Sequence, residues 1–514
     1  MRISKMPTDS WIDMVYKKEH RVFTTTYVGV KDSTTMSPTI ASLLFFSLLL
    51  VPQLSTSYYT SHTRESRQFF IRSSDHARSS STPATASCSS IASELNSNGK
   101  LPVMHRLSPC SPLNGAGINS NPSPTDVFRG DAQRLRSLFA ARSGVADSMA
   151  TAPAPAPVPA GVTIPTDGTP VTLAPGVLDY NVLVGYGTPA QQLPLALDTS
   201  VGISQIRCKP CASGAPSCDP AFDTSRSSTF ARVPCGSPEC RSNCSGSVCP
   251  LPLPLKGTVV QDVLTLTPSA SVHDFTSGCV EVHSPGSRPF VGALDLSRDS
   301  RSLASRLASP GTPAFSYCLP QDPSSHGFLS VGGSRPEYSG GGVQHAPLVQ
   351  NPAFPNMYFV DVVGMSLGGE ELPIPDTALS ANGTALDMGI RVNLLKPAVY
   401  APLRDAFRRQ MSQYPSAPAF EILDTCYNFT GLPEIDIPLV EIKFRNGESL
   451  VLHTFQMLYF VDPSAGPFSV ACLGFAPLQS DSSQFSVIGA LAQTSTEVVY
   501  DVAGGKVGFI PRSC

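Results

Sequence analysis

The sequence predicts a fold dominated by β-strands, with two halves that face each other across a cleft and with few, short helices. Only 15% of its 514 residues are charged, whereas 49 are Pro and 39 are Gly, as expected for many short strands and turns. Short apolar runs recur from Tyr180 onward. Two of them end in an aspartate, Asp198 and Asp387, about 190 residues apart. Each half of the β-rich region therefore carries one strand followed by an aspartate turn.

The candidate catalytic site consists of the two triplets at the ends of these runs, Asp198-Thr199-Ser200 and Asp387-Met388-Gly389. Two carboxylates that lie close together cannot both ionise easily, so one serves as general base and the other as general acid. Asp also favours ordinary turns, which would explain either aspartate alone. The matched contexts in the two halves favour a catalytic pair.

A short apolar run near the amino terminus predicts a signal peptide. The run at residues 40–51 is 12 residues long and is followed by small and polar residues. It is too short to span a bilayer comfortably, and a membrane anchor is the alternative interpretation. A start at Met36 would place the run normally, with residues 1–35 as an extension and residues 36–57 as the signal peptide. We therefore expect the secretory pathway, an extracellular or vacuolar destination and no stable membrane anchor.

The cysteines predict disulfides rather than a metal site. There are 14, of which 12 lie between Cys208 and Cys514 and can form a framework of up to six bridges. Zinc is the competing interpretation, because Cys208 and Cys211 form a C-x-x-C pair. No second pair follows at the spacing of a zinc ribbon. Sequons are present at Asn243, Asn382 and Asn428.

The segment before the β-rich region, residues 58–175, is predicted to be a prosegment with a linker. Residues 60–98 are rich in Ser, Thr and Arg without an apolar period, which predicts disorder. Residues 126–142 are predicted to form a basic helix, and residues 150–160 read ATAPAPAPVPA, an extended linker. A basic helix before a cleavable linker suggests a cover for an acidic cleft. The alternative is a spacer without a binding role.

The remaining chain predicts short strands and one longer helix. The strands include residues 180–184, 193–197, 259–266, 358–363, 451–454 and 498–502. A helix is predicted at residues 396–411, because Pro397 suits a first turn and apolar residues repeat at four-residue spacing. We expect one large internal repeat, in which each half supplies a strand, an aspartate turn and supporting strands. The net charge of −3 gives no reason to expect nucleic acid as a partner.

From about residue 100 onward, the chain resembles the pepsin-like aspartic proteases of the plant nepenthesin type. The resemblance rests on residues 104–112 (a prosegment motif), 185–192 (the strand before the first catalytic loop), 208–249 (a cysteine-rich insert), 315–319 (the connection between lobes), 487–489 and 498–509. This family implies a bilobal fold with a central cleft and one catalytic aspartate from each lobe. The lobes would be residues 176–345 and 346–514.

The resemblance implies aspartic endopeptidase chemistry at acid pH. Asp198 and Asp387 would share a proton and hold a water between them. One carboxylate would take the water's proton as it attacks the scissile carbonyl, and the other would donate to the developing oxyanion. A peptide or protein substrate would lie in the cleft. No metal or organic cofactor is needed, and a monomer is expected.

Departures from the family pattern cluster around the chemistry. Ser200 replaces a glycine, and its Cβ is expected to crowd the turn or shift it. Val201 and Ile390 replace hydroxyl residues. Met388 replaces the Ser or Thr that would share a hydrogen-bond network with Thr199. Each lost donor near a carboxylate costs about 1–3 kcal/mol of organisation. The triplets thus keep both aspartates but lose several groups that would tune them.

Further departures lie outside the triplets. Residues 249–259, where a Tyr-bearing flap is expected, are short, proline-rich and without Tyr. Gln205 stands where a Trp is usual, and Asp295 stands at a glycine position behind the first loop. Two hypotheses therefore compete. One is an aspartic endopeptidase with a degenerate site and weak or no activity, and the other is a non-catalytic secreted binding or inhibitor protein of the same fold, for example against glycoside hydrolases.

Overall fold

The part of the chain that the computed structural model describes comprises residues 68–72, 88–97, 100–113, 124–140, 179–210, 220–242, 244, 246–252, 255–280, 291–307, 315–332, 342–380, 383–462, 465–479 and 485–514. All of these residues belong to one structural unit. The predicted signal peptide, the Ala-Pro linker and the sequons at Asn243 and Asn382 lie outside the described residues.

The segment before residue 179 and the first half of the β-rich region contain the following elements. They are β1 (Gln68–Arg72), α1 (Cys88–Ser97), β2 (Lys100–His105), α2 (Pro124–Ala140), β3 (Tyr180–Tyr186), β4 (Gln191–Asp198), β5 (Ser204–Lys209), β6 (Phe222–Asp223), a 3-10 helix (Thr224–Arg226), β7 (Ala231–Arg232), β8 (Gly257–Thr267), β9 (Ala270–Val280), β10 (Gly292–Asp295), α3 (Leu303–Leu307), β11 (Phe315–Cys318) and β12 (His326–Val331).

The second half contains more strands and four helices. They are β13 (Gln344–Val349), β14 (Tyr358–Val360), β15 (Val362–Leu367), β16 (Glu370–Glu371), α4 (Asp376–Ser380), β17 (Thr384–Leu386), β18 (Asn393–Leu395), α5 (Pro397–Gln410), β19 (Ser416–Ala417), β20 (Cys426–Asn428), β21 (Glu434–Pro438), β22 (Val440–Phe444), β23 (Ser449–Val451), α6 (Thr454–Met457), β24 (Leu458–Phe460), β25 (Val470–Leu473), β26 (Phe475–Pro477), β27 (Ser486–Ile488), α7 (Ala490–Gln493), β28 (Thr496–Asp501) and β29 (Lys506–Pro511).

The large internal repeat is present, and it places the two aspartates. In the first half, β10 pairs in parallel with β4 and antiparallel with β5. In the second half, β27 pairs in parallel with β17 and antiparallel with β18. Each aspartate therefore lies at the end of a strand that has a parallel neighbour. The predicted β-dominated, two-lobed class is confirmed.

One continuous sheet joins the two halves. Strand β11 of the first half pairs with β28 of the second half, so that strands from both halves share a single hydrogen-bonded system. Strand β2, from the predicted prosegment, enters the same sheet between β3 and β12. The predicted prosegment is thus built into the body of the protein rather than only resting on it.

The two predicted helices form close to their predicted positions. Helix α2 covers Pro124–Ala140, and α5 begins at Pro397, whose fixed φ suits a first turn. In α5, Val399, Leu403 and Phe407 are buried on one face, as their four-residue spacing predicts.

Three predictions were wrong in detail. Residues 60–98 were expected to be disordered, but α1 forms there and packs on β2, tethered by the Cys88–Cys110 disulfide, and β1 pairs with β21. A crosslink of this kind lowers the entropy that an isolated polar segment would have to lose on ordering. The strand predicted at residues 451–454 ends at Val451, and the one at residues 358–363 is divided at Asp361.

The predicted disulfide framework is confirmed among the described cysteines. The bridges are Cys88–Cys110, Cys208–Cys279, Cys235–Cys244, Cys240–Cys249, Cys318–Cys514 and Cys426–Cys472. Because Cys208 is bonded to Cys279, the zinc interpretation of the C-x-x-C pair is not supported. Within the described ranges, no helix is long and apolar enough to cross a membrane.

Candidate active site

Main-chain hydrogen bonds hold the two aspartate turns in matching positions. The N–H of Leu296, just after β10, donates to the Asp198 carbonyl over 2.7 Å. In the other half, the N–H of Asp387 donates to the carbonyl of Ile488, the last residue of β27, over 3.1 Å. Both carboxylates are buried, and Asp387 has no exposed surface at all. The turns are thus fixed by the sheet and not by their own sequence.

A single guanidinium, that of Arg134 in α2, contacts both carboxylates. Its Nη1 and Nη2 donate to Asp198 Oδ2 and Oδ1 over 2.7 and 2.8 Å. Its Nε and Nη2 donate to Asp387 Oδ2 and Oδ1 over 3.1 and 2.8 Å. Two planar bidentate pairs on one side chain are the strong form of a charge-assisted hydrogen bond. The structure therefore brings Asp198 and Asp387 together, with their oxygens occupied by Arg134.

The electrostatics of this contact favour the charged forms. Burial by itself would raise the pKa of Asp198, but the Arg134 charge and its hydrogen bonds hold that pKa below its ordinary value of 3.8. Burial would likewise lower the pKa of Arg134, and the two carboxylates outweigh it and raise that pKa. The triad of charged groups is stable as an ion cluster while both carboxylates remain ionised.

Ser200 contributes a hydroxyl that the sequence analysis did not credit. Its Oγ lies 3.1 Å from Asp198 Oδ1, and its main-chain N–H donates to the same oxygen over 2.8 Å. Its Oγ also accepts a 2.7 Å hydrogen bond from Arg134 Nη2. We expected this side chain mainly to crowd the turn. It instead supplies a donor to Asp198, which compensates in part for the hydroxyl missing at Val201.

The second loop lacks a matching hydroxyl. The N–H of Gly389 donates to Asp387 Oδ1 over 2.8 Å, which is the counterpart of the Ser200 N–H. Met388 is buried in the main core. Within the described part of the chain, the buried Oγ1 of Thr199 has no hydrogen-bond partner. The predicted loss of the hydroxyl network between the loops is therefore visible in an unsatisfied polar atom.

The segment 249–259, which the structure describes except at residues 253 and 254, pairs its two ends as the arms of a short hairpin on its own half of the protein. The N–H of Val259 donates to the Cys249 carbonyl over 2.9 Å, and that of Leu251 to the Gly257 carbonyl over 3.1 Å. The Leu251 side chain is buried in a small apolar cluster with Ile203 and neighbouring residues. A hairpin held down in this way, with no Tyr, leaves little to close over a bound peptide.

Asp295 is a third buried carboxyl beside the first loop. It lies at the end of β10, in register with Asp198 at the end of β4. Its oxygens accept hydrogen bonds from the N–H and Oγ of Ser297 over 2.9 and 3.2 Å. Burial raises its pKa to about 7, although the Ser297 hydrogen bonds oppose the rise. Gln205, also buried, has an Oε1 without a hydrogen-bond partner among the described residues.

Helix α2 is anchored by further contacts besides that of Arg134. Phe128 packs against the rings of Phe420 and Tyr459 in the second half. Asp131 Oδ2 accepts a 3.1 Å hydrogen bond from the N–H of Arg391, and the Arg391 guanidinium pairs with Asp179. Burial raises the pKa of Asp131 to about 8, with Arg391 opposing. One face of the helix thus presents an aromatic ring, a carboxyl and a guanidinium to the cleft.

Gly389 gives a direct test of how tightly Arg134 is seated. A Cβ at this position would lie 2.3 Å from Arg134 Cζ, so Gly389→Ala must displace a guanidinium that two carboxylates hold in place. Losing one charge-assisted hydrogen bond costs about 2 kcal/mol. We expect hydrogen exchange of the α2 main-chain amides to accelerate about thirtyfold, as that free energy implies.

The matched control for this substitution is Gly342→Ala, because a Cβ at Gly342 would meet no atom of the described residues within 4 Å. It should leave the exchange of α2 unchanged. Equal exchange in both variants would contradict a tight fit between Gly389 and Arg134.

Arg134 and the Ser200 hydroxyl are the site groups that the sequence analysis missed. The sequence did indicate a basic helix before the linker, but α2 also contains Arg129 and Arg136. Nothing in the local pattern selects one arginine, since the choice depends on how the helix is seated. Among the described residues, no group of three or more His, Cys, Asp or Glu side chains could hold a metal ion.

Comparisons with known proteins match both halves of the chain. The family described as Xylanase inhibitor N-terminal matches residues 180–333, and the one described as Xylanase inhibitor C-terminal matches residues 357–511. An aspartyl protease family protein of Arabidopsis thaliana is 32% identical over 457 residues, which cover 84% of this chain and 90% of the relative. Aspartic proteinase nepenthesin-1 of Nepenthes gracilis is 26% identical over 365 residues, covering 68% and 80%.

Solved structures agree on the fold. The crystal structure of EDGP superposes with a TM-score of 0.53 at 17% sequence identity, covering 66% of this chain and 94% of that one. Conglutin gamma, a basic 7S globulin from lupine seeds, gives a TM-score of 0.52 at 19% identity, covering 64% and 91%. At these identities the likeness shows the fold alone.

Proposed function

Because the chain belongs to the plant pepsin-like aspartic protease family, we propose that it is a slow acid endopeptidase made in a latent form that Arg134 keeps closed. The observation that carries this proposal is the single guanidinium bonded to both carboxylates. This guanidinium comes from a segment before the linker and blocks both aspartates. Such a block is expected in a protein whose two aspartates hydrolyse peptides once the block is removed.

The proposed reaction needs Arg134 to leave. The Asp198 and Asp387 carboxyls would then share a proton and bind a water between them. The ionised carboxyl takes a proton from this water as its oxygen attacks the scissile carbonyl carbon, and the protonated carboxyl donates to the carbonyl oxygen. Collapse of the tetrahedral intermediate, with proton transfer to the amide nitrogen, breaks the peptide bond. Ser200 would steady Asp198 through its hydroxyl and its N–H.

The rate is expected to be low because two supporting parts are missing. The unpartnered Thr199 hydroxyl leaves the loops without their shared network, and the hairpin at residues 249–259 packs away from a bound peptide. Removing one preorganised donor from an active site typically lowers kcat by about 10²–10³. We therefore propose turnover at least about a hundredfold below that of an ordinary endopeptidase.

The test of this function is Asp387→Asn. Purified protein, exposed to acid to release α2, should cleave denatured protein substrates slowly between about pH 3 and 6, the range of coupled carboxyl pairs. The Asn variant, with one carboxyl removed, should lose all of this activity, and pepstatin should inhibit the wild type. Activity that survives in the variant would trace to a contaminating protease and would overturn the proposal.

A second function is favoured by the hydroxyl missing at Met388 and by the packed-down hairpin, because both changes remove parts that catalysis needs and that binding does not. In this alternative the protein is a non-catalytic secreted binding protein, for example an inhibitor of glycoside hydrolases. It is distinguished by inhibition of a purified xylanase that persists in the Asp387→Asn variant. The endopeptidase proposal expects no such inhibition.

We also propose that the protein is secreted, to the extracellular space or the vacuole, and that it acts as a monomer. The six disulfides among the described cysteines support an oxidising compartment. Residues 58–175 are proposed as the prosegment. Asn428, which is exposed, is the sequon in the described region that a glycosyltransferase could reach.

A further inference from the structure

Phe128 occupies an aromatic pocket at the edge of the cleft. Its ring centroid lies 5.4 Å from that of Tyr459 and 6.3 Å from that of Phe420, and these two rings stack on each other at 5.9 Å. The side chain is only 3% exposed, and the same apolar cluster contains Leu423 and Ile390. The pocket therefore takes a whole aromatic ring.

The pocket is joined to the two aspartates through the second catalytic turn. Ile390, in the pocket cluster, follows Asp387 by three residues, and the N–H of Arg391 bonds to Asp131 of the helix. Along α2, Phe128 precedes Arg134 by six residues, a rise of about 9 Å. An extended peptide advances about 3.3 Å per residue, so the same distance corresponds to about three residues.

A polar donor lies between the pocket and the aspartates. The N–H of Arg391 is occupied by Asp131 while α2 is docked, and within the described part of the chain the buried Nε of Arg391 has no hydrogen-bond partner. When the helix leaves, both groups become available to a main-chain carbonyl or a polar side chain of a bound peptide. An exposed aromatic pair next to such donors is the usual composition of a peptide-binding pocket.

We infer that Phe420 and Tyr459 form a specificity pocket for an aromatic side chain of a peptide, about three residues away from the residue bound at the two aspartates. In the structure, Phe128 of α2 occupies the position that the aromatic side chain of such a peptide would take, and Arg134 occupies the position at the two aspartates. The inference rests on the proposed function, since it names the peptides that the same cleft would bind. It can nevertheless be tested without catalysis.

The test measures peptide binding to the full chain carrying Phe128→Ala and Arg134→Ala, which empties both positions. The probes are fluorescent eight-residue peptides of Gly and Ser with one Arg and one Phe, separated by one to six positions in either order. Anisotropy titrations at pH 6 give the affinities. We expect the tightest binding when the Phe lies three residues from the Arg, about tenfold tighter than for peptides without Phe.

Variants locate the effect in the pocket. Phe420→Ala with Tyr459→Ala should abolish the tenfold gain from Phe but leave the affinity of Phe-free peptides unchanged. Phe455→Ala is the matched control, because it removes another partly buried aromatic ring of the same half, one that contacts Phe460. If the double variant fails to fold, two measurements still test the pocket. They are the affinities of the peptides with different Phe–Arg separations for the Phe128→Ala, Arg134→Ala protein, and the affinities of the same peptides after the milder change Phe420→Leu.

The outcomes separate this inference from the proposed function. Affinity that does not depend on the position of Phe, or an equal loss for all peptides in the pocket variant, would overturn the pocket. A clear optimum at three residues without any hydrolysis would support the pocket and contradict the endopeptidase. Hydrolysis of peptides whose affinity does not depend on Phe would support the endopeptidase and contradict the pocket.

Discussion

Replacing Arg134 by Ala is expected to make the unprocessed chain cleave peptides at pH 5, where the wild-type chain remains latent. Removing one partner from a buried ion pair weakens the assembly by about 3–5 kcal/mol, because the other charges lose their compensation. Arg134 contacts two carboxylates and the Ser200 hydroxyl, so its loss should lower the equilibrium constant for docking of α2 by about 10²–10⁴. Initial rates on a quenched fluorescent peptide, without acid pretreatment, give the measurement.

The pH dependence of latency follows from Asp198. Its pKa in the docked state is held below the ordinary 3.8, so the contact with Arg134 is at full strength above that pH and is lost as the pH falls through the lowered value. The wild type should therefore need an exposure below about pH 3.8 to become active, and Arg134→Ala should not. This difference would be absent if α2 were an inert spacer.

Arg409→Ala is the control for the loss of a positive charge. Arg409 lies on α5 and pairs with Glu370 at the surface, where its side chain is 60% exposed. Surface pairs of this kind contribute about 1 kcal/mol or less. The variant should stay latent at pH 5, as the wild type does.

Asp295→Asn is expected to make the stability of the protein much less dependent on pH. Burial raises the Asp295 pKa to about 7 from 3.8, so the folded state binds more protons than the unfolded state between these two values. The free energy of unfolding consequently falls as the pH rises from about 4, and it levels off above about pH 7. The shift corresponds to about 4 kcal/mol of lost stability at pH 8.

An asparagine can accept the Ser297 N–H hydrogen bond with its amide oxygen and carries no charge. The difference in free energy of unfolding between pH 4.5 and pH 8, from urea denaturation, should therefore shrink by about 3 kcal/mol in the variant. Asp299→Asn is the comparison variant, since it also removes a buried carboxyl of the same segment, but one that is paired with Arg241 and Arg301. An unchanged pH profile in Asp295→Asn would show that Asp295 is ionised without cost.

Asp295 also links stability to the site. It lies beside Asp198 in register across β4 and β10, and the two negative charges oppose each other's ionisation. A family pattern with glycine at this position has no such charge. A buried acid here fits the proposed activity at acid pH, where the carboxyl is protonated and its burial costs little.

Local sequence patterns were sufficient to predict the elements that carry the site. The apolar runs before Asp198 and Asp387 became β4 and β17, and the four-residue period became α5. The basic stretch before the linker became α2. These predictions succeeded because alternation, periodicity and turn preferences are read from neighbouring residues. The prediction of disorder at residues 60–98 failed because a disulfide and a strand partner far along the chain order parts of that segment.

Sequence patterns alone show two aspartate turns, one in each half, and the loss of the hydroxyl in the second loop. That Arg134 is the arginine between the aspartates is seen only in the folded protein, where it contacts residues 64 and 253 positions away. The tertiary structure also decided that the Ser200 hydroxyl turns toward Asp198, and that Phe128 fills a pocket at Phe420 and Tyr459. The physical reason is that these contacts join segments far apart in the chain. Their geometry is set by how the strands pair and the helix packs, which no local pattern encodes.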